Sequence, residues 1–440
     1  MSNKSVWERT EMPEFPSATG EIKTDVLVIG GGIAGLLTAY ELQKSGVSCV
    51  LAESDRICGG VTRGTTAKVT FQHGLIYQEI LSGYGAEKAK MYLEANQNAL
   101  KNIAALCRNI DCGFQKVDSY IYSRNDRASL EREIEALEKI GFSAEFCNHI
   151  ELPFSTAGAV KFKNQAQFDP LKFLRGVIGK MCKRNGNARI FEHTRIIDLK
   201  SGTALSKNAK ITADKIVVAT HFPFVNTHGS YFLKLYQSRS NVIALENVPN
   251  VHGIYMDGDT NGLSFRNFGD LLLIGGGAHK TGMPCRRGEL EAFAAKNYPN
   301  SPIKYSWGAQ DCMSLDGIPY IGNYSKFTPN MYVAAGFNKW GMTSAMAAAE
   351  ILCDKILSKE NPYAEVFDPS RSMLKKQLWI NGANAVKTLL TPTAPRCPHM
   401  GCALKRNPAE HSWDCPCHGS RFTEDGKLLD NPANGNLRKP

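Results

Sequence analysis

A glycine-rich loop between two apolar strands is the feature that most constrains the fold of this chain. The run Val26–Ile29 predicts a buried parallel strand, and Gly30-x-Gly32-x-x-Gly35 follows it directly and opens a helix. A second strand then ends in Glu53. Because glycine loop, helix and acidic residue follow a strand in this order, the pattern predicts a βαβ dinucleotide-binding unit.

Each residue of this motif has an expected task. Gly30 allows the tight turn, Gly32 lets the backbone approach a pyrophosphate, and Gly35 lets the helix pack on the strand. The pyrophosphate would lie at the helix N-terminus, in the turn that contains Ala34, and Glu53 would accept hydrogen bonds from ribose hydroxyls. The motif alone does not separate FAD from NAD, and a glycine-rich turn without a ligand is the alternative.

Two short Cys/His segments form a second constellation near the C-terminus. Residues 397–402 read Cys-Pro-His-Met-Gly-Cys, and residues 415–420 read Cys-Pro-Cys-His-Gly-Ser. Thiolates and neutral imidazoles are ligands for iron–sulfur centres and also for tetrahedral zinc. A zinc knuckle is therefore the alternative, although zinc requires neither the glycines after the hooks nor the two additional cysteines.

These segments closely resemble the Rieske family, in the subgroup with one additional cysteine in each hook. The resemblance implies a [2Fe–2S] cluster held by two cysteines on one iron and two histidines on the other: Cys397, Cys415, His399 and His418. It also implies a disulfide between Cys402 and Cys417. The family usually has Gly-Ser-x-Tyr after the second hook, where this chain has Phe422 in place of the tyrosine.

The Rieske unit predicted here is unusually small. We expect residues 371–390 to be a linker and residues 391–440 to be a minimal, all-β Rieske domain, because a full domain has several strands before its first ligand. So short a unit cannot bury a sufficient core alone. We therefore expect the cluster, the disulfide and docking on the rest of the chain to stabilise it.

The body of the chain resembles FAD-dependent oxidoreductases of the D-amino-acid/glycine oxidase-like family. The resemblance rests on the segments Ala213–Thr220, Asp316–Gly322 and Tyr332–Thr343, in that order after the glycine motif. It implies FAD as cofactor. We expect FAD to be bound without a covalent link, because the glycine motif and Glu53 suffice for binding and no residue is a convincing attachment point. The resemblance adds further residues near the flavin, several of them from the first turn of a helix pointing at the isoalloxazine: Thr66, Ala219, Gly336, Gly341, Met342 and Thr343.

The expected fold is α/β. An oxidoreductase region over 20–370 should contain a discontinuous Rossmann-type FAD-binding domain and an antiparallel-sheet substrate domain. The predicted ranges are 20–85, 165–225 and 310–360 for the dinucleotide part, and 150–165 and 240–275 for the substrate sheet. A second glycine-rich stretch, 271–282, has no apolar-periodic helix after it, so it predicts a strand and turn rather than an NAD(P)H site.

The candidate catalytic residues are polar groups in segments expected to face the flavin or the substrate sheet: Lys68, His73, Arg266 and His279, with Lys280 beside them. Arg266 could pair bidentately with a substrate carboxylate. The alternative for several of them is a structural polar residue, since the cofactor carries the chemistry of a flavin dehydrogenation.

Composition excludes several functions. The formal charge is +10, but the basic residues form no run typical of a nucleic-acid site. The N-terminus lacks the apolar core of a signal peptide, and no apolar run is long enough to span a membrane. We expect a cytoplasmic protein without nucleic-acid or membrane partners.

The leading functional hypothesis is an oxidoreductase that passes electrons between an amine- or amino-acid-like substrate, FAD, a Rieske cluster and an unidentified electron acceptor or donor. One alternative is an electron carrier or redox sensor without a committed substrate. Another is an oxygen-using oxidase whose C-terminal unit holds zinc.

Overall fold

The computed structural model describes residues 4–184, 188–200, 202–259, 262–392 and 395–437. The strands in this part of the chain are β1 Gly20–Ile29, β2 Cys49–Ala52, β3 Lys68–Val69, β4 Gln115–Ser123, β5 Glu145–Cys147, β6 Gly158–Gln167, β7 Ala188–Phe191, β8 Asp198–Lys200, β9 Thr203–Leu205, β10 Ala209–Val218, β11 Leu235–Leu245, β12 Ile254–Asp257, β13 Ser264–Phe268, β14 Leu271–Lys280, β15 Ile303–Ser314, β16 Tyr320–Asn323, β17 Met331–Ala335, β18 Lys405–Asn407, β19 Ser412–Asp414, β20 Arg421–Thr423 and β21 Leu428–Asp430.

The helices are α1 Ile33–Lys44, α2 Val61–Gly64, α3 Ile76–Tyr84, α4 Ala86–Cys107, α5 Arg127–Lys139, α6 Pro170–Lys183, α7 Tyr231–Lys234, α8 Arg287–Asn297, α9 Gly341–Ile356, α10 Ala364–Phe367 and α11 Lys376–Leu390. Within the described residues, no helix combines the length and the apolarity needed to cross a membrane.

The first sheet is the dinucleotide-binding sheet. Its main path runs β16-β17-β10-β1-β2-β7, with β9 and β8 attached beside β10. Strands β17, β10, β1, β2 and β7 are parallel, and β16 closes one edge in the antiparallel sense. Val28 of β1 packs in one apolar cluster and its neighbour Leu27 in another, so both faces of the central strand are covered, as parallel sheets require.

The second sheet is larger than the sequence indicated. It has nine strands on the path β15-β11-β14-β13-β12-β4-β6-β3, with β5 beside β6, and is antiparallel except where β12 meets β4. We expected it over residues 150–165 and 240–275. It also takes in β4, which pairs with β6 and β12, and β15, which pairs with β11 along the whole length of β11.

The third sheet is the small C-terminal unit, with four antiparallel strands in the order β18-β19-β20-β21. Its apolar core consists largely of cysteines, together with Leu404, Phe422 and Ala433. A core this small agrees with the expectation that the unit depends on further cross-links and on docking. The predicted fold class, an α/β FAD-binding fold with an antiparallel sheet and a small all-β unit, is confirmed.

The segment predicted as a linker is mostly helical. Asn381-Gly382, which indicated a turn, lies inside helix α11, and the helix ends immediately before Thr391-Pro392. The Asn381 side chain is buried, and its Nδ2 donates to the Leu233 carbonyl at 3.5 Å. Tertiary contact therefore overrides the weak local preference of this dipeptide.

A buried ion network joins the third sheet to the second. Arg239 of β11 donates to the Glu410 carboxylate at 2.8 Å, and Arg421 of β20 also pairs with Glu410. Arg421 further contacts Asp414 and Asp430, each at 3.0 Å. The small unit is thus held on the body by paired charges as well as by apolar contact.

Candidate functional site

A cavity of about 280 Å³ lies where the parallel strands of the first sheet end. Strands β1, β2, β10 and β17 deliver to it the residues that follow them, as expected for ligand sites in open α/β sheets. The lining residues predicted from sequence to contact the cofactor are Gly30, Gly32, Ala34, Glu53, Ala219, Gly336, Gly341 and Met342. Gly35, Thr66 and Thr343 do not line it.

The glycine loop has the geometry that a pyrophosphate site needs. Gly30 has φ +111°, and a Cβ there would collide with the Ala219 carbonyl. A Cβ at Gly35 would collide with the Gly30 carbonyl, so Gly35 acts in packing rather than in the cavity. Gly32 is the N-cap of α1 and supplies no side-chain acceptor, which leaves helix N–H groups for an anion.

Glu53 stands at the end of β2, beside this loop. Its Oε2 accepts from the Gly31 N–H at 2.6 Å, and its Oε1 accepts from Ser54 and Asp55, each at 2.9 Å. These bonds fix the carboxylate at the rim of the cavity. Each oxygen retains capacity for a further donor such as a ribose hydroxyl.

A second helix N-terminus also borders the cavity, through Gly341 and Met342. Helix α9 begins at Gly341, and its N-cap, Trp340, offers no side-chain acceptor. Asn338 and Lys339 before it adopt left-handed φ values of 50° and 72°, and the Asn338 side chain is tied to Ser314 and Gly336. The strained turn thus aims the start of α9 into the cavity, where its N–H groups would favour a reduced, anionic flavin.

The four predicted catalytic residues, expected in segments that face the flavin or the substrate sheet, do not line the cavity. Lys68, Arg266 and His279 lie on strands of the second sheet. Arg266 is 1% exposed and donates to the main-chain carbonyls of Thr66 and Ala67 at 2.9 and 2.7 Å. Its guanidinium also lies over the rings of Trp7 and Phe268. It anchors the loop before β3 and is not placed to bind a substrate carboxylate.

Lys68, His73 and His279 are likewise occupied within the protein. Lys68 donates to Thr66 and Ser264 at 2.9 and 3.1 Å, and burial, followed by repulsion from Arg266, lowers its pKa to about 7. Burial lowers the pKa of His73 to about 3, and one of its ring nitrogens lies 2.7 Å from the Tyr92 hydroxyl.

The other His73 nitrogen lies 3.0 Å from the Thr343 hydroxyl, so His73 supports the first turn of α9 from behind. His279 Nδ1 lies 2.8 Å from the Gly277 carbonyl, on the edge of β14. The four candidate catalytic residues were chosen because they are polar and lie in segments that resemble those of the oxidoreductase family. Their catalytic role stays a prediction.

Three residues that sequence reasoning missed do line the cavity: His221, Asp311 and Lys339. Burial raises the pKa of Asp311, and burial lowers the pKa of Lys339; the two opposite charges attract one another. Lys339 is exposed to the open cavity although protein encloses its other sides. In the sequence, only the location of these residues along the chain could have indicated them. Lys339 lies just before helix α9, and Asp311 lies before the Asp316–Gly322 segment.

The two Cys/His segments form a matched pair of loops. The Gly401 N–H donates to the Cys397 carbonyl at 2.9 Å, and the Gly419 N–H donates to the Cys415 carbonyl at 3.0 Å. Both glycines have positive φ, +75° and +87°, and a Cβ at Gly419 would lie 2.6 Å from Gln237 Cβ. The expected disulfide joins the loops, with 6.7 Å between the Cα atoms of Cys402 and Cys417.

The donor atoms converge as an iron–sulfur site requires. Cys397 and Cys415 are buried, and a hydrogen bond between their thiols lowers the pKa of Cys397 to about 7. The rings of His399 and His418 lie 4.9 Å apart. Burial lowers the pKa of both imidazoles, to about 4 for His399 and about 3 for His418, so both rings are neutral at neutral pH, the form that binds a metal.

On both loops, one ring nitrogen of the histidine is hydrogen-bonded and the other has no partner among the residues that the structure describes. His399 Nε2 lies 3.1 Å from Asn226 Oδ1, and the His418 ring bonds the backbone of Phe232. Both Nδ1 atoms are buried and have no hydrogen-bond partner in the described part of the chain. Two oriented, unpaired nitrogens beside two thiols fit a Cys₂His₂ cluster site. The sulfurs of Cys402 and Cys417 also lie near Cys415, but a disulfide removes them as thiolate ligands.

The two sites share a wall. His221 lines the FAD cavity, and the next residue, Phe222, packs against both cluster histidines, with ring centroids 6.3 Å from His399 and 6.2 Å from His418. His221 also contacts the Gln237 side chain, whose Nε2 donates to the His418 carbonyl at 3.1 Å. Residues 428–434 of the C-terminal unit complete the cavity lining.

Comparison with known proteins agrees with both halves. Residues 25–355 match the FAD-dependent oxidoreductase family model, and residues 374–440 match the Rieske [2Fe–2S] domain model. The Rieske match begins at residue 374, whereas we expected the Rieske domain to begin at residue 391. Helix α11 therefore lies within the matched region. A putative Rieske 2Fe–2S iron–sulfur protein of Bacillus subtilis, YhfW, is 35% identical over 96% of this chain and 94% of its own length.

Solved structures support the fold of the body. Glycine oxidase from Geobacillus kaustophilus superposes with a TM-score of 0.67 at 18% identity, covering 80% of this chain and 100% of its own. L-Proline dehydrogenase from P. horikoshii superposes with a TM-score of 0.68 at 18% identity, covering 80% and 98%. The chain belongs to the FAD-dependent oxidoreductase family and carries a C-terminal Rieske domain, so it binds FAD and a [2Fe–2S] cluster.

Proposed function

We propose that this protein oxidises a small amine- or amino-acid-like substrate at FAD and exchanges the electrons, one at a time, with an external partner through its Rieske centre. The observation that carries the proposal is the wall shared by the two sites, in which His221 borders the FAD cavity and Phe222 contacts both cluster histidines. FAD supplies two-electron chemistry and the cluster supplies one-electron transfer when they are bound.

The chain's own residues support this assignment. We infer that Cys397, Cys415, His399 and His418 ligate the cluster, because the two thiols bond each other and the two buried imidazole Nδ1 atoms have no hydrogen-bond partner in the described part of the chain. The uncapped start of α1 accommodates the pyrophosphate. The uncapped start of α9 faces the flavin ring end of the cavity.

Charge in the cavity favours a zwitterionic substrate. Asp311 offers a carboxylate for an amine, and Lys339 offers an ammonium for a carboxylate, both from the cavity wall. Such a pair complements an amino acid better than a neutral alcohol or an aldehyde. Two structural neighbours, a glycine oxidase and an L-proline dehydrogenase, support the same substrate class.

An anaerobic screen of amino acids and amines tests the proposal. We expect at least one compound to bleach the flavin absorbance, followed by the electron spin resonance signal of a reduced Rieske centre. If chemical reductants produce both signals and none of the compounds does, the protein is instead an electron carrier or redox sensor. Zinc without acid-labile sulfide in iron-replete protein would favour an oxidase with a zinc-loaded unit.

Variants of Phe222 test the shared wall. Phe222→Ala should leave bleaching by a substrate unchanged and slow the appearance of the reduced-cluster signal, because a gap replaces the ring between the sites. Phe222→Leu is the matched control, since it retains most of the packing. Equal rates of cluster reduction in the alanine variant and the wild type would show that Phe222 does not contribute to electron transfer between the flavin and the cluster.

A further inference from the structure

Helix α11 presents its apolar side to solvent. Trp379, Ala383, Val386 and Leu390 follow the spacing i, i+4, i+7 and i+11, which places them on one face. All four are exposed, with relative exposures of 72% for Trp379, 57% for Val386 and 77% for Leu390. A surface helix ordinarily turns such a stripe toward the core.

The side of α11 that packs on the protein carries two buried polar anchors, with Ala385 against the apolar core of the cluster unit. Asn381 donates to the Leu233 carbonyl, and the Thr388 hydroxyl lies 2.6 Å from Cys417 Sγ. Because these contacts fix the rotation of the helix, the apolar stripe is held outward. A contiguous exposed apolar stripe of this kind marks an interaction surface.

The stripe continues onto the cluster loop. Leu389 and Met400 are 46% and 39% exposed, and Arg396 donates to the Leu389 and Gly401 carbonyls, each at 3.2 Å. His399, half-buried, precedes Met400 in the same loop. We call this the α11 surface; it consists of Trp379, Ala383, Val386, Leu389, Leu390 and Met400.

The chain segment that carries the α11 surface is basic, and of its cations Arg406 pairs with Glu424 at 2.9 Å. No Asp or Glu occurs between Ser372 and Ala409. The basic residues of that segment are Lys375, Lys376, Lys387, Arg396, Lys405 and Arg406. A partner for this surface should therefore combine an apolar patch with a negative rim.

We propose that the α11 surface docks an acidic, one-electron carrier protein and places it beside the cluster loop that carries His399 and Met400. The inference rests on the proposed function, because it names the class of partner that the one-electron outlet requires. The exchange moves one electron between carrier and cluster: the carrier gains what the cluster loses, or the reverse, and no bond or proton changes. A second copy of this chain is a poor occupant, since it would place like charges opposite one another.

Binding to a plant-type [2Fe–2S] ferredoxin and to a flavodoxin, both acidic carriers, tests the proposal with the holoprotein. We expect a calorimetric Kd at low ionic strength that weakens as salt is added. The double variant Trp379→Ser/Leu390→Ser should weaken binding by about tenfold or more, since exposed aromatic anchors dominate such interfaces.

The matched control is Phe327→Ser, which removes an aromatic ring of equal exposure, 73%, from the β16–β17 turn. It should leave the Kd unchanged. An unchanged Kd in the double variant, or no binding of either carrier to the wild type, overturns the proposal. Two other results would also overturn the proposal. In one, the wild type sediments with phosphatidylglycerol-containing vesicles and the double variant does not. In the other, the wild type dimerises and the double variant does not.

One further measurement separates this proposal from the proposed function. In the double variant, photoreduction of the flavin should still reduce the cluster at the wild-type rate, because the shared wall is intact. If that internal step is absent in the wild type as well, the proposed function fails, and the binding data alone decide whether the α11 surface docks a carrier.

Discussion

Phe422 lies, fully buried, among the cysteines of the cluster unit. A tyrosine there would add a hydroxyl that can reach a ligand sulfur, and such a hydrogen bond stabilises the more negative, reduced cluster. Phe422→Tyr should therefore raise the reduction potential by about 60–130 mV, taking roughly 1.5–3 kcal/mol for a hydrogen bond to a charged group. Protein-film voltammetry measures this, and no shift, or a fall, would mean that the ring does not face the cluster.

Lys280 is the second residue that should set the potential. Its Nζ is buried without a hydrogen-bond partner among the described residues, close enough to Cys415 and His418 to interact electrostatically. A positive charge beside the cluster favours the reduced state. Lys280→Met should lower the potential, whereas Lys280→Arg should leave it nearly unchanged; equal potentials in all three proteins would exclude an electrostatic role.

At the scale of elements, the contact between β11 and the small third sheet depends on Glu410. Burial on its own raises the pKa of Glu410, but the charges of Arg239 and Arg421 outweigh it and hold the pKa below its ordinary value. A depressed pKa in the folded state stabilises the fold above the unfolded pKa, and that stability is lost as the pH falls through the folded pKa.

Glu410→Gln should consequently destabilise the docked unit at neutral pH by about 3–5 kcal/mol, because Arg239 and Arg421 lose a buried partner. It should also flatten the loss of stability on acidification. Unfolding followed by visible circular dichroism of the cluster measures both. Glu424→Gln, which removes an exposed pair with Arg406, is the control and should change little.

Other elements depend on local residues. Asp169 accepts from the N–H groups of Leu171 and Lys172, and Pro170 starts α6, which is the typical helix start for an Asp-Pro pair. Helices α4 and α5 bury residues at helical spacing. These features depend on residues within one or two turns of each other. The rotation of α11 does not, because contacts with Leu233 and Cys417 determine it.

At the scale of the whole molecule, residues of both the oxidoreductase body and the C-terminal unit line the FAD cavity. We expect this cavity to hold FAD without a covalent bond. Backbone N–H groups and Glu53 suffice for binding, and burial raises the pKa of the two lining thiols, Cys58 and Cys312, so that neither is a ready nucleophile. Acid precipitation should release a yellow supernatant. Colour that stays with the pellet would show a covalent link.

The amino-acid sequence by itself determined the two cofactors and the fold class. Within the glycine loop and within each Cys/His hook the motif residues lie a few positions apart, so local spacing carries the motif. Family resemblance then pointed to FAD and to a [2Fe–2S] cluster. The disulfide of Cys402 with Cys417 was implied in the same way, by resemblance. The individual ligands and flavin contacts remain predictions.

Only the tertiary structure showed which residues line the cavity and that the cavity and the cluster loops share a wall. His221, Asp311 and Lys339 come from distant strands that end at one edge of the cavity, while Arg266 turned inward to main-chain carbonyls. Side-chain direction depends on which strands become neighbours and on the buried donors that must be satisfied there. Those long-range pairings have no signature in the residues around each position.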